Sequence, residues 1–347
     1  MVIKEPIVSL RTAPIAYEPL QEPDVAQSRK MFGRYYERAI QLLAPAMRDP
    51  LQDTQLLYNE PVQCVEELTD GWIKVNAIEQ LTFDRKTKQW KPMQGYIQRD
   101  QAMPVHSFVS PNIVVKKPWS TVLCDDGSTY DLPMGTKLRS IRSLIIAFVV
   151  SLLNGKRGTI PAKDVFVIQD TPEETDTLRS MIVGYAQQLI GEPYCWGGRS
   201  PLNRQNKKFS SSNDCSGFIN LAVRCAGLEI ARDATPLSIM SNTVTHGRDL
   251  LPSDCIFFSH PENLDYKFHI LMYLGNDQVI ESGFNGIKVT NAKERFGQSL
   301  KELSSGDLIQ LEDGSQHVIY FGSYLNDISF VQKLRAYAKG HYTVLIS

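Results

Sequence analysis

A polar tetrad at residues 214–217, Asp-Cys-Ser-Gly, followed by an apolar helical stripe, constrains the fold more than any other feature of this chain. The apolar residues after the tetrad recur at spacings of three and four: Phe218, Leu221, Ala222, Cys225 and Leu228. This period predicts a helix whose inner face packs against a core. Cys215 would lie on its first turn, where unpaired backbone amides and the helix dipole favour an ionised, nucleophilic sulfur.

A histidine later in the chain is the candidate base for this sulfur. His269 opens the apolar segment of residues 269–274, which is typical of a strand. The sequence distance from Cys215 is too large for one element, so the two side chains can meet only through the tertiary fold. A histidine beside a cysteine is the usual general base for a thiol nucleophile, and we interpret the pair in this way.

Composition and charge are those of an ordinary soluble protein. The 347 residues are 42% hydrophobic and 22% charged, with a formal net charge of -1, so we expect neither nucleic acid nor a membrane as partner. The first 20 residues lack the continuous apolar core of a secretion signal, so we expect a cytoplasmic protein. The apolar run at residues 144–153 is about half the length of a membrane-spanning helix and suits a buried strand.

Cysteine and histidine spacing argues against disulfides and metals. No pair has the Cys-x-x-Cys spacing, and the histidines never occur four residues apart. We expect free thiols, no metal and no cofactor. The six cysteines are Cys64, Cys124, Cys195, Cys215, Cys225 and Cys255.

The N-terminal half has the spacing of strands and turns that is typical of small β domains. Short strand-like segments separated by turn residues predict a first small β-barrel in residues 1–105, with a helical insertion at residues 24–46. A second barrel is predicted in residues 106–170, with an Asn154-Gly155 hairpin turn. The chain is thus expected to hold two barrels in tandem before its third domain.

The pattern changes after residue 170. Thr171 as a cap and Pro172 in the first turn predict a helix that runs to Gly191. The cysteine helix and several strands follow, so residues 171–347 are predicted to form an α+β domain. Residues 306–322 repeat the pattern of residues 253–270 and predict a further hairpin in a C-terminal extension.

Four motifs in order resemble the NlpC/p60 family of papain-like cysteine peptidases. They are Tyr194-x-Trp196-Gly197-Gly198 and the segments at residues 214–218, 253–258 and 269–275. The resemblance implies a papain-like NlpC/p60 catalytic domain of the α+β class. Residues 54–60, 71–75 and 95–96 resemble the first bacterial SH3-type barrel of the family's dipeptidyl-peptidase members, which implies two small SH3-like β-barrels before the catalytic domain.

The resemblance also implies roles for individual residues. Cys215 would attack a peptide carbonyl, and His269 would take the thiol proton and return it to the departing amine. Glu281, on the next strand, would hold the far nitrogen of the imidazole, at a position where the family more often has His, Asn or Gln. The Tyr194 hydroxyl would assist the Cys215 amide in stabilising the oxyanion.

Further residues are candidates for substrate binding. The family uses the neighbours of its nucleophile, here Asp214 and Ser216, to recognise the amine end and the γ-linked glutamate of the substrate. Trp196 is either a pocket wall or a packing residue. An acid and a tyrosine of the first barrel close the pocket around a free N-terminal L-Ala in the dipeptidyl members, and Glu60 and Tyr96 occupy the matching positions.

These roles imply a hydrolase of free cell-wall peptides. It would cleave the amide between γ-D-glutamate and a diamino acid, releasing L-Ala-D-Glu for recycling in the cytoplasm. Two alternatives stay open. The same thioester would serve an acyltransferase, and a catalytically idle peptide-binding protein would use the barrels alone. The sequence leaves open whether the diamino acid is meso-diaminopimelate or L-lysine.

Overall fold

The computed structural model describes residues 1–16, 51–105, 109–203, 211–311 and 314–343. The helical insertion predicted at residues 24–46 lies outside these residues. Among the helices of the described residues, none combines the length and the apolar character that crossing a bilayer requires.

The first β region covers the described part of residues 1–105. Strands β2 to β6 form an antiparallel sheet in the order β3-β2-β6-β5-β4, and β1 pairs with β7. Alternate apolar residues, such as Ile73, Val75 and Ala77 of β5, are buried on one face of this sheet. The strands are β1 (Val2–Ile3), β2 (Ile7–Arg11), β3 (Gln52–Leu57), β4 (Val62–Glu67), β5 (Trp72–Asp84), β6 (Gln89–Gln98) and β7 (Ala102–Met103).

The second β region forms one antiparallel sheet in the order β10-β9-β13-β12-β11-β8-β14. Its strands are β8 (Ile113–Val115), β9 (Trp119–Cys124), β10 (Thr129–Pro133), β11 (Lys137–Ser143), β12 (Ala147–Ser151), β13 (Arg157–Pro161) and β14 (Val165–Val167). The predicted Asn154-Gly155 hairpin joins β12 to β13, with Gly155 at φ +78°. In the described residues neither β region forms a closed barrel, so the SH3-type assignment and the domain boundaries stay predictions.

The prediction of a buried strand at residues 144–153 is wrong for residues 144–146. Residues 144–146 form an exposed turn between β11 and β12, closed by a hydrogen bond from the Leu144 amide to the Ala147 carbonyl. In β12 itself only Val150 is buried. The run is too long for the strand that the hairpin register allows, so its apolar start projects beyond the sheet.

The C-terminal region combines helices with an antiparallel sheet, as the α+β prediction states. The sheet order is β15-β21-β16-β17-β18-β19, with β20 paired to β21. The helices are α1 (Thr175–Gln187), α2 (Cys215–Cys225), α3 (Ala234–Met240), α4 (Ala292–Phe296) and α5 (Ile328–Ala338). The strands are β15 (Asn242–Val244), β16 (Cys255–His260), β17 (Asn263–Gly275), β18 (Gln278–Gly283), β19 (Gly286–Asn291), β20 (Leu308–Gln310) and β21 (Gln316–Ser323).

Two predictions about this region have different outcomes. The C-terminal hairpin is present as β20 and β21. The first helix, however, begins at Thr175 rather than beside Thr171, because the Thr171 hydroxyl donates to the Ile168 carbonyl (2.7 Å) and closes the preceding turn. The helix also ends at Gln187, four residues before the predicted Gly191.

Helix α2 is the centre of the largest hydrophobic core. All of its residues are buried, so the helix packs on every side rather than along one stripe. Phe218 and Leu221 share this core with Ile270 and Met272 of β17 and with Leu57 of the first β region. The helix that carries Cys215 is therefore fixed against both the catalytic sheet and the N-terminal region.

A buried ion cluster (Glu79, Lys137, Arg224 and Glu229) joins all three regions. Lys137 of β11 binds Glu79 of β5 (Nζ–Oε1, 3.1 Å) and Glu229 (2.7 Å). Arg224 of α2 binds the same two carboxylates, each at 2.7 Å. Burial alone would raise the pKa of Glu79, but Arg224 and Lys137 lower it to about 2, so the carboxylate is charged at neutral pH.

We predict that Glu79→Gln destabilises the protein by about 3 kcal/mol, because it leaves two buried cations with one fewer counter-charge. Since the folded pKa of Glu79 lies below the unfolded value, its contribution is present above the unfolded pKa and is lost as pH falls towards about 2. Urea unfolding at neutral pH would measure the loss. Asp84→Asn, which removes an exposed pair with Lys91, is the matched control with a small effect. Equal effects of the two variants would contradict this account.

Candidate active site

Asp214 fixes the start of helix α2. Its Oδ1 accepts hydrogen bonds from the amides of Ser216 (2.9 Å) and Gly217 (2.7 Å), the N-cap arrangement that satisfies free amides of a first turn. Arg232 donates to both carboxylate oxygens of Asp214 and also contacts the Ser216 hydroxyl. The two side chains predicted to bind substrate therefore hold the nucleophile in place, and their direct substrate role stays a prediction.

Close backbone approach locks the preceding loop against this turn. A Cβ on Gly217 would lie 2.0 Å from the Gly198 carbonyl oxygen, a distance that no side chain permits. Gly197, at φ +65°, similarly lies against the backbone of Gln52, where a Cβ would be 2.5 Å from its oxygen. Gly197 and Gly217 thus allow the loop to pack between α2 and β3.

Strand β3 of the first β region positions this loop through side-chain amides. Gln52 donates to the Trp196 carbonyl (Nε2–O, 2.6 Å), and Gln55 accepts from the Arg199 amide (2.8 Å) and the Ser200 hydroxyl (2.7 Å). The first β region is therefore part of the active-site structure. Trp196 is half-buried above this contact, and its predicted role as a pocket wall stays a prediction.

His269 on β17 lies between Cys215 and Glu281. Its Nε2 is 2.7 Å from Glu281 Oε2, and the antiparallel register, with Met272 opposite Ile280, places Glu281 diagonally across from it. The charge of Cys215 acts on the imidazole, and since Nε2 faces the carboxylate, Nδ1 is the nitrogen left for the sulfur. The ring also stacks on Phe258, with centroids 6.1 Å apart.

The electrostatics favour an imidazolium at His269. Burial lowers its pKa, but the charge and hydrogen bond of Cys215, followed by those of Glu281, raise it to about 9. Burial would raise the pKa of Glu281, yet His269 and Arg295 lower it to about 2. Arg295 donates to the same carboxylate from α4 (Nε–Oε1, 3.0 Å), a partner that the sequence patterns did not indicate. The carboxylate stays ionised and holds the imidazole in one orientation.

Tyr194 is buried beside the sulfur with its hydroxyl proton retained. Burial, then the charges of Cys215 and Asp214, raise the pKa of Tyr194 well above its ordinary value. Its ring packs edge-on against Phe284, with centroids 5.5 Å apart. A neutral phenol next to the nucleophile can donate a hydrogen bond to an oxyanion, which is the role predicted for it.

Glu60 lies in a buried ion pair, and its predicted substrate role stays a prediction. This carboxylate is 2% exposed, contacts the Arg199 guanidinium, and accepts from Gln80 (3.2 Å) with Arg224 3.1 Å away. Arg199 and Arg224 therefore already balance the charge of this carboxylate inside the protein. Tyr96 is half-buried on β6 with the Lys74 amino group 5.8 Å from its ring centre, and its substrate role stays a prediction.

Two other carboxylates lie beside the Arg232–Asp214 pair that holds the nucleophile's turn, and sequence reasoning missed both. Asp53 of β3 and Asp233 before α3 interact with each other's charge and flank the Arg232–Asp214 pair. Burial and the neighbouring carboxylates raise the pKa of both acids, against the effect of Arg232. Asp233 follows α2 without a recognisable motif, and its φ of +71° is the unusual backbone that aims it into this cluster.

A thiol, an imidazole and a carboxylate in this order define a class of enzyme, the cysteine peptidases. The imidazole can exchange a proton with the sulfur while the carboxylate fixes its tautomer. Within that class, residues 191–300 match the sequence profile of the NlpC/P60 family, so the chain contains an NlpC/P60 domain as its motifs predicted.

Similar proteins extend the comparison to most of the chain. A γ-D-glutamyl-L-lysine dipeptidyl-peptidase from Bacillus cereus is 24% identical over 66% of this chain and 67% of its own length. Dipeptidyl-peptidase 6 from Lysinibacillus sphaericus is 25% identical over 68% of this chain and 81% of its own. A probable endopeptidase p60 from Listeria grayi is 26% identical, but the alignment covers only 22% of that relative.

A solved structure has the same overall fold. The crystal structure of an NlpC/P60 family protein from Bacillus cereus superimposes with a TM-score of 0.67, covering 93% of this chain and 99% of that one at 20% identity. At this identity the likeness concerns the fold alone. It includes the β regions as well as the catalytic domain, because it covers nearly the whole chain.

We predict that Glu281→Gln moves the alkaline limb of the kcat/KM profile to lower pH. The imidazolium at His269 is lost as pH rises through its pKa, about 9, and the variant removes the carboxylate charge that raises this pKa. Rates on a chromogenic peptide substrate from pH 5 to 10 would measure the shift. Glu294→Gln on the exposed side of α4 is the matched control. An unmoved limb would rule out coupling between Glu281 and His269.

Proposed function

We propose that this protein is a cysteine peptidase that hydrolyses the amide between γ-D-glutamate and a diamino acid in free cell-wall peptides. The observation that carries the proposal is the His269 imidazole held between Cys215 and Glu281, with the acidic pair Asp53 and Asp233 next to the Asp214 that caps the nucleophile's helix. The names of the Bacillus cereus and Lysinibacillus sphaericus relatives support the same substrate class.

The reaction uses each group in turn. The Cys215 sulfur attacks the amide carbonyl, and the oxyanion accepts hydrogen bonds from the Cys215 amide and the Tyr194 hydroxyl. Imidazolium at His269 then protonates the departing amine of the diamino acid. A water molecule, deprotonated by the neutral imidazole, hydrolyses the thioester and frees the dipeptide.

We propose that Asp53 and Asp233 recognise the free amino group of the N-terminal residue. Asp53, Asp214 and Asp233 surround the single cation Arg232, so this group carries an excess of negative charge, which a substrate ammonium would neutralise. An N-acylated peptide brings no such charge and leaves the acids desolvated without a partner. This assignment replaces Glu60 and keeps the prediction that a first-region acid selects a free N-terminal L-Ala.

The proposal also includes the fold type of the two β regions and the place where the enzyme acts. We assign the two β regions to SH3-type domains on the motif resemblance. We also propose that the enzyme acts in the cytoplasm on peptides recovered during cell-wall turnover, since Asp53 and Asp233 would favour peptides with a free amino group.

We predict that the wild type converts L-Ala-γ-D-Glu-L-Lys and its meso-diaminopimelate counterpart to L-Ala-D-Glu and the free diamino acid. Mass spectrometry of the digest would identify the products, and Cys215→Ala would form none. Cys64→Ala, at a half-buried cysteine away from the site, is the control with unchanged activity. An adduct with an added amine in place of the free dipeptide would instead establish an acyltransferase.

The neighbouring thiols make a second comparison possible on the same samples. Burial raises the pKa of the Cys225 thiol to about 12 and also raises the pKa of Cys255. Iodoacetamide at pH 6 should therefore alkylate Cys215 far faster than these thiols. Equal labelling, together with no cleavage, would identify a peptide-binding protein without catalysis.

We predict that Asp53→Asn and Asp233→Asn each raise KM for the free tripeptide by about tenfold or more, because each removes a charge facing the ammonium. Cleavage of the N-acetylated tripeptide, slow in the wild type, should hardly change. The ratio of kcat/KM for the free peptide to kcat/KM for the acetylated peptide should therefore fall. Steady-state kinetics on both peptides would measure it. Asp125→Asn, an exposed acid of the second β region, is the control. Unaltered discrimination in both variants would remove the amine-recognition role.

A further inference from the structure

An exposed apolar turn projects from the second β region. We define the hairpin tip as residues 144–146, where Leu144, Ile145 and Ile146 are 37%, 100% and 81% exposed. Ile141, on the adjoining strand β11, is 49% exposed. Single exposed aliphatic residues are common, but a contiguous group at the end of a hairpin marks an interaction surface.

The segment that contains the tip is rich in positive charge, and the first acid after it, Asp164, accepts a hydrogen bond from the Ser120 hydroxyl (2.9 Å). From residue 137 to residue 163 the sequence has six Lys or Arg residues and no Asp or Glu. Lys137 and Lys156 are paired with carboxylates. The other four have no carboxylate partner among the residues that the structure describes: Arg139, Arg142, Arg157 and Lys163.

Two of these cations flank the tip. Arg142 is two residues before Leu144 on β11. Lys163 follows Ala162, whose amide donates to the Ile146 carbonyl (2.9 Å), so its backbone lies beside the turn. Both residues are exposed. The hairpin tip is therefore an exposed aliphatic turn flanked by two cations. We call Arg142 and Lys163 the basic collar.

We propose that the hairpin tip inserts into the surface of an anionic lipid bilayer. Aliphatic side chains at a turn can enter the boundary between headgroups and acyl chains, while the collar meets the negative headgroups. A second copy of the chain fits less well. Stable interfaces bury about 800 Å² per partner, more than four side chains at one turn supply, and two basic collars would repel each other.

Whole-chain composition conceals this surface. The net charge of -1 led to the sequence expectation of no membrane partner, because it averages a basic segment with acidic ones elsewhere. Binding through the tip is peripheral and goes beyond the proposed peptidase function. Loss of lipid binding and loss of cleavage are therefore separate results, since the tip takes no part in the catalytic site.

The test is flotation of the full chain with vesicles of phosphatidylglycerol and phosphatidylcholine, compared with vesicles of phosphatidylcholine alone. We expect binding to the anionic vesicles only, weakened by salt. Ile145→Ser with Ile146→Ser should reduce binding by about tenfold or more. Arg142→Gln with Lys163→Gln should reduce it by about fivefold for each charge removed.

Matched controls separate the tip from general surface effects. Ile328→Ser removes another isoleucine that is 71% exposed, and Lys301→Gln removes another exposed cation, so neither should alter binding. Cleavage of the soluble tripeptide should be equal in all variants, which verifies folding. The proposal is overturned if the wild type does not float with anionic vesicles. It is also overturned if the tip variants bind as the wild type does, or if the wild type is a dimer that Ile145→Ser with Ile146→Ser dissociates.

Discussion

The contact between the Cys215 sulfur and the His269 imidazole is the interaction on which the rest of the site depends. The two residues come from α2 and β17, which are held together by the largest core of the protein. Glu281 then fixes the imidazole from β18, and Arg295 fixes Glu281 from α4. Each polar group is oriented by a partner on another element, so the geometry belongs to the whole domain.

The β regions contribute to this geometry directly. Gln52 and Gln55 hold the loop before the nucleophile, and Asp53 between them faces the acidic cluster beside Cys215. The buried ion cluster around Arg224 links the same regions behind α2. Side chains on both sides of β3 reach the catalytic domain, since Gln52 and Gln55 are three residues apart on an alternating strand and both contact its loop.

Local patterns in the sequence correctly predicted features that depend mainly on nearby residues. The helical period after residue 214 predicted α2, and strand position predicted that Glu281 would reach His269. The surroundings of Glu60 could not be predicted in this way. Its motif position was visible, but the arginines that neutralise it come from the loop and helix of another domain. The turn at residues 144–146 is a similar case, since an apolar run records hydrophobicity but not whether a sheet edge covers it.

The most direct test of the account is an NMR titration of the His269 imidazole in protein labelled with nitrogen-15 at histidine. The thiolate–imidazolium pair predicts that His269 stays protonated until the pH approaches about 9, and that Cys215→Ala lowers this pKa, because the charge of Cys215 is its largest favourable interaction. A His269 that titrates near the ordinary histidine value of about 6.5, unchanged by Cys215→Ala, would contradict the paired site.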